Sequence, residues 1–143
     1  MSKIEVYIQM WIYLRHQGFR TIDLIEKENK WEYRVTPHEF CIRDTFHHVV
    51  RSIFEDAGNL VAGKSELYRP IADPYEDLNR CINRMIDVIK QFDDKDLEKE
   101  IRFQWGGKTT LAEAFHQRIF HAVGHFSQLR NWVGISKRNE KKL

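Results

Sequence analysis

The spacing of apolar residues limits the possible folds of this chain more than any other feature. In four separate segments, apolar side chains recur at steps of three and four residues, which places them on one face of an α-helix. The predicted helices cover about Ile4 to Glu28, Ile42 to Val61, Asp73 to Phe92, and Thr110 to Val133. Four such helices with one longer connection predict an all-α protein that folds as a four-helix bundle.

Residues near the predicted helix starts support these boundaries. Asp73 is a suitable N-cap for the third helix, with Pro74 at the first helical position and Glu76 in place for a capping box. The segment Thr110–Glu113 shows the same box pattern at the start of the fourth helix. The segment Thr36–Glu39 also has this form, and it is either the start of the second helix or a separate turn.

The connections between helices have patterns of their own. The segment Arg102–Thr109 predicts a small β-hairpin just before the fourth helix, with its turn at Gly106-Gly107. The segment Gly63–Asp73 is long enough to cross over between the second and third helices. Each of these connections is compatible with a helical bundle.

The length of 143 residues predicts one domain with a real hydrophobic core. Gly134 is a suitable stop for the fourth helix, so we expect the bundle to occupy residues 1–136. Residues 137–143 are mostly basic and are expected to form a solvated, frayed tail.

Composition excludes several classes of function. The 23 basic and 21 acidic residues nearly cancel, which argues against nucleic-acid binding. No apolar run is long enough to span a bilayer, and the first residues lack the apolar core of a signal peptide. Cys41 and Cys81 show no metal-type spacing, so we expect reduced thiols in a cytoplasmic protein.

A pair of histidines in the fourth helix is the strongest chemical signal. His121 and His125 are four residues apart, so both rings lie on one helix face, with Gln128 one turn further on. Imidazole binds zinc, nickel, copper or iron well, but a catalytic ion usually takes three protein ligands. Hydrogen bonding at a seam between helices and metal binding are both open interpretations of this pair.

The second helix offers a third histidine. Beside its core stripe runs a second stripe of small, polar, uncharged side chains, which suits a cavity wall: Cys41, Thr45, His48 and Ser52. His48 either faces this cavity or lies on the surface, because it points well away from the centre of the core stripe. His47 points about 100° away from His48 and is expected at the surface or at a seam.

These segments resemble the DinB/YfiT-like metalloenzymes. The segment Ile42–Val50 is similar to the second helix of that family, and Thr110–Phe115 together with His121–Leu129 is similar to the fourth. The resemblance implies a DinB/YfiT-type bundle in which His48, His121 and His125 bind one divalent ion, with zinc or nickel as first candidates and iron as a further one. It also implies a homodimer.

The chain departs from the family pattern at three places. Gly124 stands where many members have a further histidine, Phe126-Ser127 replaces an Arg-Gly pair, and Ile53 replaces an acidic residue. These changes leave the three expected ligands intact. They affect only roles in the surroundings of the metal, for which we expect Gln128, Thr45, Ser52 and Trp132.

The resemblance implies a metal-dependent transferase that activates a low-molecular-weight thiol toward an electrophile. A metal-dependent hydrolase is an alternative, disfavoured because no Asp or Glu is evident beside the ligands in the sequence. A second alternative is a metal-binding protein without turnover, with a structural or stress-response role. The expected partners are small molecules, with no nucleic acid and no membrane.

Overall fold

The computed structural model describes residues 1–61, 66–102 and 107–142. Four α-helices form a bundle, and a short 3-10 helix and a small hairpin precede the last of them. The elements are α1 (Lys3–Glu28), α2 (Ile42–Asn59), α3 (Pro74–Ile89), the 3-10 helix (Asp94–Glu98), β1 (Glu100–Arg102), β2 (Lys108–Thr110) and α4 (Leu111–Lys141). The predicted all-α four-helix bundle with a hairpin before the last helix is confirmed.

The hairpin joins the third and fourth helices as predicted. β1 and β2 pair antiparallel, with Ile101 opposite Thr109. The backbone N–H of Leu111 donates to the carbonyl of Lys99 at 2.9 Å, which ties the start of α4 to the hairpin. The predicted turn lies partly outside the described residues, because Gly106 is not among them.

Both predicted N-caps are observed. The Asp73 carboxylate accepts from the backbone N–H of Tyr75 at 2.9 Å, and Pro74 is the first residue of α3. At α4 the Thr110 hydroxyl accepts from the backbone N–H of Glu113 at 3.2 Å. The Glu113 carboxylate accepts from the hydroxyl of Thr109, so it binds a side chain of β2.

The segment before α2 is a separate turn, which decides between the two open alternatives. The backbone N–H of Glu39 donates to the carbonyl of Thr36 at 3.2 Å, and α2 begins only at Ile42. The first N–H groups of α2 are satisfied by the preceding chain, because Arg43 donates to the carbonyl of Trp31 at 2.8 Å. The start of α2 therefore has partners without a side-chain cap.

The predicted end of the fourth helix is wrong. α4 does not stop near Val133 but passes through Gly134 and ends at Lys141. A glycine inside a helix costs only about 1 kcal/mol relative to alanine, so contacts with the rest of the protein easily outweigh it. Residues 137–141, which we predicted to be part of a frayed tail, form the last turns of this helix.

Contacts with α1 and the residues after it hold these last turns. Ser136 is buried, and the Lys137 ammonium lies 3.1 Å from the carboxylate of Glu28. Lys30 forms an ion pair with Glu140. Packing and charge pairing at the end of α1 therefore extend α4 beyond its glycine.

α1 and α4 run parallel to each other. The Tyr7 hydroxyl lies 3.2 Å from Nε2 of His116 near the starts of the two helices. Two turns before the end of α1, the Arg130 guanidinium donates to the Thr21 hydroxyl at 2.8 Å. The residue numbers rise together along both helices, which fixes their relative direction.

α3 runs antiparallel to α1. The Tyr75 hydroxyl at the start of α3 donates to Asp23, in the last part of α1, at 2.5 Å. Further along α3, Asn83 accepts from the guanidinium of Arg15 at 2.6 Å. The residue numbers of the contacting pairs fall along α1 as they rise along α3.

α2 runs antiparallel to α4, and it is therefore parallel to α3. His48 lies against His125, with 4.9 Å between ring centroids, and Asp56 lies 3.2 Å from the guanidinium of Arg118. Two consecutive parallel helices require a connection that passes along the bundle. The chain between α2 and α3 is this crossover, as predicted, although residues 62–65 lie outside the described residues.

The core fills the space between the four helices. Its largest fully buried side chains are Trp11, Phe46, Phe115 and Phe126. Within the described ranges, no helix is both long enough and apolar enough to cross a membrane.

Candidate metal centre

Three histidines from two helices converge in the groove between α2 and α4. His48 comes from α2, and His121 and His125 come from successive turns of α4. Each offers one ring nitrogen, and the three nitrogens lie within 4.8 Å of one another. The structure thus brings together the three ligands expected from the family resemblance. That they bind a metal ion stays a prediction.

Hydrogen bonds orient the two rings on α4. Nε2 of His125 lies 3.1 Å from Nε2 of His121, and Nδ1 of His125 lies 2.9 Å from Oε1 of Gln128. Because the amide oxygen can only accept, Nδ1 of His125 holds the proton. Nε2 of His125 therefore carries a lone pair, which points toward His121.

The nitrogen donors fit a divalent transition ion. Nitrogen ligands 2.0–2.1 Å from a tetrahedral ion lie about 3.3 Å from each other, close to the observed separation of the His121 and His125 nitrogens. Three neutral imidazoles suit zinc, nickel, copper or iron better than magnesium or calcium, which prefer oxygen ligands.

The surroundings favour the unprotonated histidines that a metal requires. Burial lowers the pKa of His48, and the nearby His125 lowers it further. The pKa of His121 is lowered by the same two effects in the same order. Lone pairs are therefore available on these rings at neutral pH.

An open cleft of about 620 Å³ adjoins the histidines. Of the predicted surrounding residues, Thr45, Gln128 and Trp132 line this cleft together with His48 and His125. The cleft is large enough for a small organic molecule. His48 is exposed toward it, so the cluster is accessible from solvent.

Ser52 differs from the other predicted surrounding residues. It is not among the residues that line the cleft. Its hydroxyl donates to the main-chain carbonyl of His48 at 2.8 Å, which satisfies it within the helix. A serine in a helix often bonds to the carbonyl four residues earlier.

His47, which we expected at the surface or at a seam, lies beside the cluster of three histidines without belonging to it. Its ring lies 6.1 Å from the ring of Phe46 and is half-buried. It lines the edge of the cleft, but it is not part of the three-nitrogen cluster.

Two carboxylates line the cleft, contrary to the expectation that none lies near the ligands. Asp44 precedes His48 by one turn, and Glu39 belongs to the turn before α2. Asp44 lies 3.9 Å from the guanidinium of Arg34, which also donates to the main-chain carbonyl of Glu39 at 2.7 Å. The four-residue spacing of Asp44 and His48 was the available sequence signal, whereas the position of Glu39 depends on the fold of the turn.

A further carboxylate lies two turns beyond His48 on α2. Asp56 pairs with Arg118 of α4 at 3.2 Å, with both side chains mostly buried. Burial raises the pKa of Asp56 to about 6, although Arg118 acts in the opposite direction. The sequence analysis did not single out this pair, since it depends on the antiparallel contact of α2 and α4.

A buried network anchors the wall of the cleft that comes from the crossover. The Tyr68 hydroxyl donates to the carboxylate of Asp77 at 2.5 Å, and Arg80 donates to the same carboxylate at 2.7 Å. Asp77 is fully buried. Burial, followed by the hydrogen bond to Asp77, raises the pKa of Tyr68. This network holds Tyr68 in place beside the cleft.

The thiol of Cys41 does not join the site. Cys41 is the N-cap residue of α2 and is buried, and burial raises its pKa. A buried thiol of raised pKa holds little thiolate, which agrees with the reduced thiol expected from the sequence.

No protein-family model and no curated protein matches the sequence significantly. Solved structures of DinB-like proteins do match. A DinB-like protein from Bacillus subtilis, YjoA, superposes with a TM-score of 0.76 at 14% identity, covering 92% of each chain.

Two further solved structures have the same architecture. A DinB-like protein from Bacillus cereus gives a TM-score of 0.74 at 16% identity, covering 96% of this chain and 95% of the other. YfiT from Bacillus subtilis gives 0.69 at 13% identity, covering 96% of this chain and 90% of its own. YfiT is described as a probable metal-dependent hydrolase with an unusual four-helix bundle topology. The present chain therefore has the fold of the DinB-like proteins along almost its whole length.

Proposed function

We propose that this protein binds one divalent metal ion through His48, His121 and His125 and uses it to act on a small molecule in the adjoining cleft. The observation that supports this most directly is the convergence of three ring nitrogens, within 4.8 Å of one another, beside a cleft of about 620 Å³. The description of YfiT as a probable metal-dependent hydrolase agrees with the proposal.

The openness of the site favours catalysis over a purely structural role. Structural zinc sites are usually closed by four protein ligands, whereas catalytic sites have three and leave a position for water or substrate. Here three histidines converge, and His48 is exposed toward the cleft. A metal that only fixed α2 to α4 would need neither this exposure nor the cleft.

Hydrolysis is the reaction class that the cleft supports best. A divalent ion held by the three imidazoles would act as a Lewis acid and lower the pKa of a water or thiol bound to it. Asp44 and Glu39 line the same cleft and can accept a proton from a nucleophile. Gln128 holds the ring of His125 in position, since its amide oxygen accepts from Nδ1.

Thiol transfer is the second candidate, and the apolar part of the cleft favours it. Three neutral imidazoles leave the full charge of the ion to stabilise a thiolate. Phe40, Leu67 and Trp132 line the cleft and give it room for an apolar electrophile next to the ligands. This reaction corresponds to the transferase activity implied by the family resemblance.

Metal content of untagged protein, measured by elemental analysis, tests the site. Alanine at His48, His121 or His125 should each strongly reduce the metal bound per chain, whereas His47→Ala, the matched neighbour, should retain it. Circular dichroism of each variant shows whether the bundle is intact. Loss of metal in His47→Ala with retention in His48→Ala would contradict the assignment on α2.

Cobalt-substituted protein separates the two reactions. If a thiol is activated at the metal, small thiols should produce a strong charge-transfer band in the near ultraviolet. An unchanged spectrum at saturating concentrations of several cellular thiols would remove the transferase candidate. Hydrolysis of model esters or amides that depends on Asp44, lost in Asp44→Asn with metal content unchanged, would support the hydrolase.

A further inference from the structure

A positively charged side chain lines the cleft beside the three histidines. Among the described residues that line the cleft, Arg51 is the one with a permanent positive charge. It lies three residues after His48 on α2, and residues three apart on a helix are neighbours on its surface. Arg51 therefore stands next to the position that a metal ion bound by His48 would take.

The charge of Arg51 acts on the histidine cluster. Burial is the main cause of the lowered pKa of His48, and the further causes are His125 and then Arg51. A bound divalent ion would add to this positive field, because three neutral imidazoles do not offset its charge. This part of the cleft therefore favours an anionic group over a neutral or cationic one.

The carboxylates of the cleft lie on the other side of His48. Asp44 precedes His48 by one turn of α2, and Glu39 belongs to the turn before this helix. Asp44 has a cation of its own, since the guanidinium of Arg34 lies 3.9 Å from its carboxylate. The two ends of the cleft thus differ in charge, and the positive end is at Arg51.

The partner that Arg51 has on its own helix holds it only weakly. Nε of Arg51 donates to the carboxylate of Glu55, one turn further along α2, at 2.9 Å. The Arg51 side chain is 61% exposed, and exposed ion pairs of this kind contribute little to stability. Because a guanidinium donates from several N–H groups, Arg51 can also bind a carboxylate that enters the cleft.

We propose that Arg51 binds a carboxylate group of the substrate, so that the protein acts on small carboxylates with an apolar body. Phe40, Leu67 and Trp132 line the same cleft and would contact that body. The reactive bond would lie close to the carboxylate, because Arg51 and His48 are neighbours on α2. As a statement about the substrate, this inference rests on the function proposed above.

Probes of one shape separate the effect of charge from that of the apolar body. Phenylacetate, phenethyl alcohol and phenethylamine share an aromatic ring and differ in the charge of the head group. Ligand-observed NMR titration of the full chain should show the tightest binding for phenylacetate. We expect this preference in metal-free protein and a larger one in zinc-loaded protein, where the ion adds its own attraction.

Variants of α2 assign the preference to Arg51. Arg51→Gln should lower the affinity for phenylacetate by about 5–10-fold and leave that for phenethyl alcohol unchanged, because only a charge-assisted hydrogen bond is lost. Glu55→Gln should raise the affinity for phenylacetate by about 2–3-fold, because it releases Arg51 from its ion pair. Arg43→Gln is the matched control, since Arg43 is also exposed on α2 but does not line the cleft. Circular dichroism checks that each variant is folded.

Equal affinities for the probes, binding of none of them, or an unchanged affinity in Arg51→Gln would each overturn the proposal. The zinc content of the same samples separates this result from the proposed function. Zinc-loaded protein without a preference for phenylacetate would contradict the role of Arg51 alone. A preference that depends on Arg51, in protein that fails to take up zinc, would support this role and contradict the metal centre.

Discussion

At the scale of single residues, the most informative contact is that of Gln128 with His125. Its amide oxygen, 2.9 Å from Nδ1, holds the ring in one tautomer and presents Nε2 toward His121. Partners of this kind fix the ring orientation of metal-binding histidines and strengthen their ligation. Without it, the ring of His125 is free to turn and to exchange the positions of its proton and its lone pair.

Replacing Gln128 should therefore weaken metal binding without abolishing it. We expect Gln128→Ala to lower the affinity for a divalent ion by about 10–100-fold, and Gln128→Glu to retain most of it, since a carboxylate also accepts from Nδ1. Competition titration with a chromogenic chelator measures both affinities. Asn131→Ala, an exposed position one turn further along α4, is the control. Equal affinities for all four proteins would contradict this role of Gln128.

The sequence predicted the cluster of three histidines better than its surroundings. His121 and His125 follow from a four-residue spacing on one helix, and His48 follows from a resemblance over nine residues. Asp44 has the same spacing from His48, but an acidic residue in the first turn of a helix is also expected from the helix dipole alone. Glu39 reaches the cleft through a turn, and no residue pattern indicates how a turn folds against a helix.

At the scale of helices, glycine positions show how closely the elements approach. A Cβ atom at Gly18 of α1 would lie 2.3 Å from Cδ2 of Leu78 and 3.2 Å from the ring of Phe126. Leu78 is fully buried, so its side chain can move away only by displacing packed neighbours. Gly18 thus lets α1 pack closely against both α3 and α4, whereas Gly124 on the exposed side of α4 has no such neighbour.

Alanine at these two glycines should have opposite effects on stability. Gly124→Ala should raise the free energy of unfolding by about 1 kcal/mol, because alanine favours the helix and meets nothing. Gly18→Ala should lower it by about 1–3 kcal/mol, because overpacking outweighs the gain in helix propensity. Urea unfolding followed by circular dichroism at one protein concentration measures both. A gain of stability in both variants would show that α1 does not pack as tightly as described.

Helix starts were predicted more accurately than the end of α4. Starts have local signals, such as Asp73 and Pro74, whose effect depends only on neighbouring backbone groups. The end of α4 depends on distant residues, because Lys137 pairs with Glu28 and Ser136 packs against the bundle. The tendency of Gly134 to end the helix is weaker than the stabilisation from these contacts.

At the scale of the whole molecule, the pair of Asp56 and Arg118 links stability to pH. The pKa of Asp56 is about 6 in the folded protein and is raised from an ordinary value of 3.8. A raised carboxyl pKa means that the folded state binds the proton more tightly than the unfolded state. This contribution to stability is present at low pH, decreases as the pH rises from 3.8 to about 6, and is absent above.

Asp56→Asn should remove this dependence. Relative to the variant, the wild type should lose about 2–3 kcal/mol of unfolding free energy between pH 4 and pH 7, since the cost of ionising a buried carboxyl then applies. Urea unfolding of both proteins at several pH values gives the two curves. Parallel curves over this range would mean that Asp56 titrates at its ordinary value in the folded protein.

The order of the helices in space follows from long-range contacts. Periodicity predicted four helices and a crossover, but α1 parallel to α4 is visible only in contacts such as that of Arg130 with Thr21. Four helical segments are equally compatible with an up-and-down bundle, in which short connections join antiparallel neighbours. The sequence alone therefore predicted the class of the fold, and the family resemblance supplied its type.

The crossover between α2 and α3 contributes to the wall of the cleft, whereas the three histidines lie on α2 and α4. Side chains of α2 and α4 would hold the ion, whereas Leu67, Tyr68 and Pro70 of the crossover form one wall of the cleft. Substitutions in this segment would change the shape of the cleft and leave the three histidines in place, provided that Tyr68 keeps its hydrogen bond to Asp77. α2 and α3 are parallel, so a long connection between them is unavoidable. This connection allows the shape of the cleft to vary between related sequences without a change in the helices.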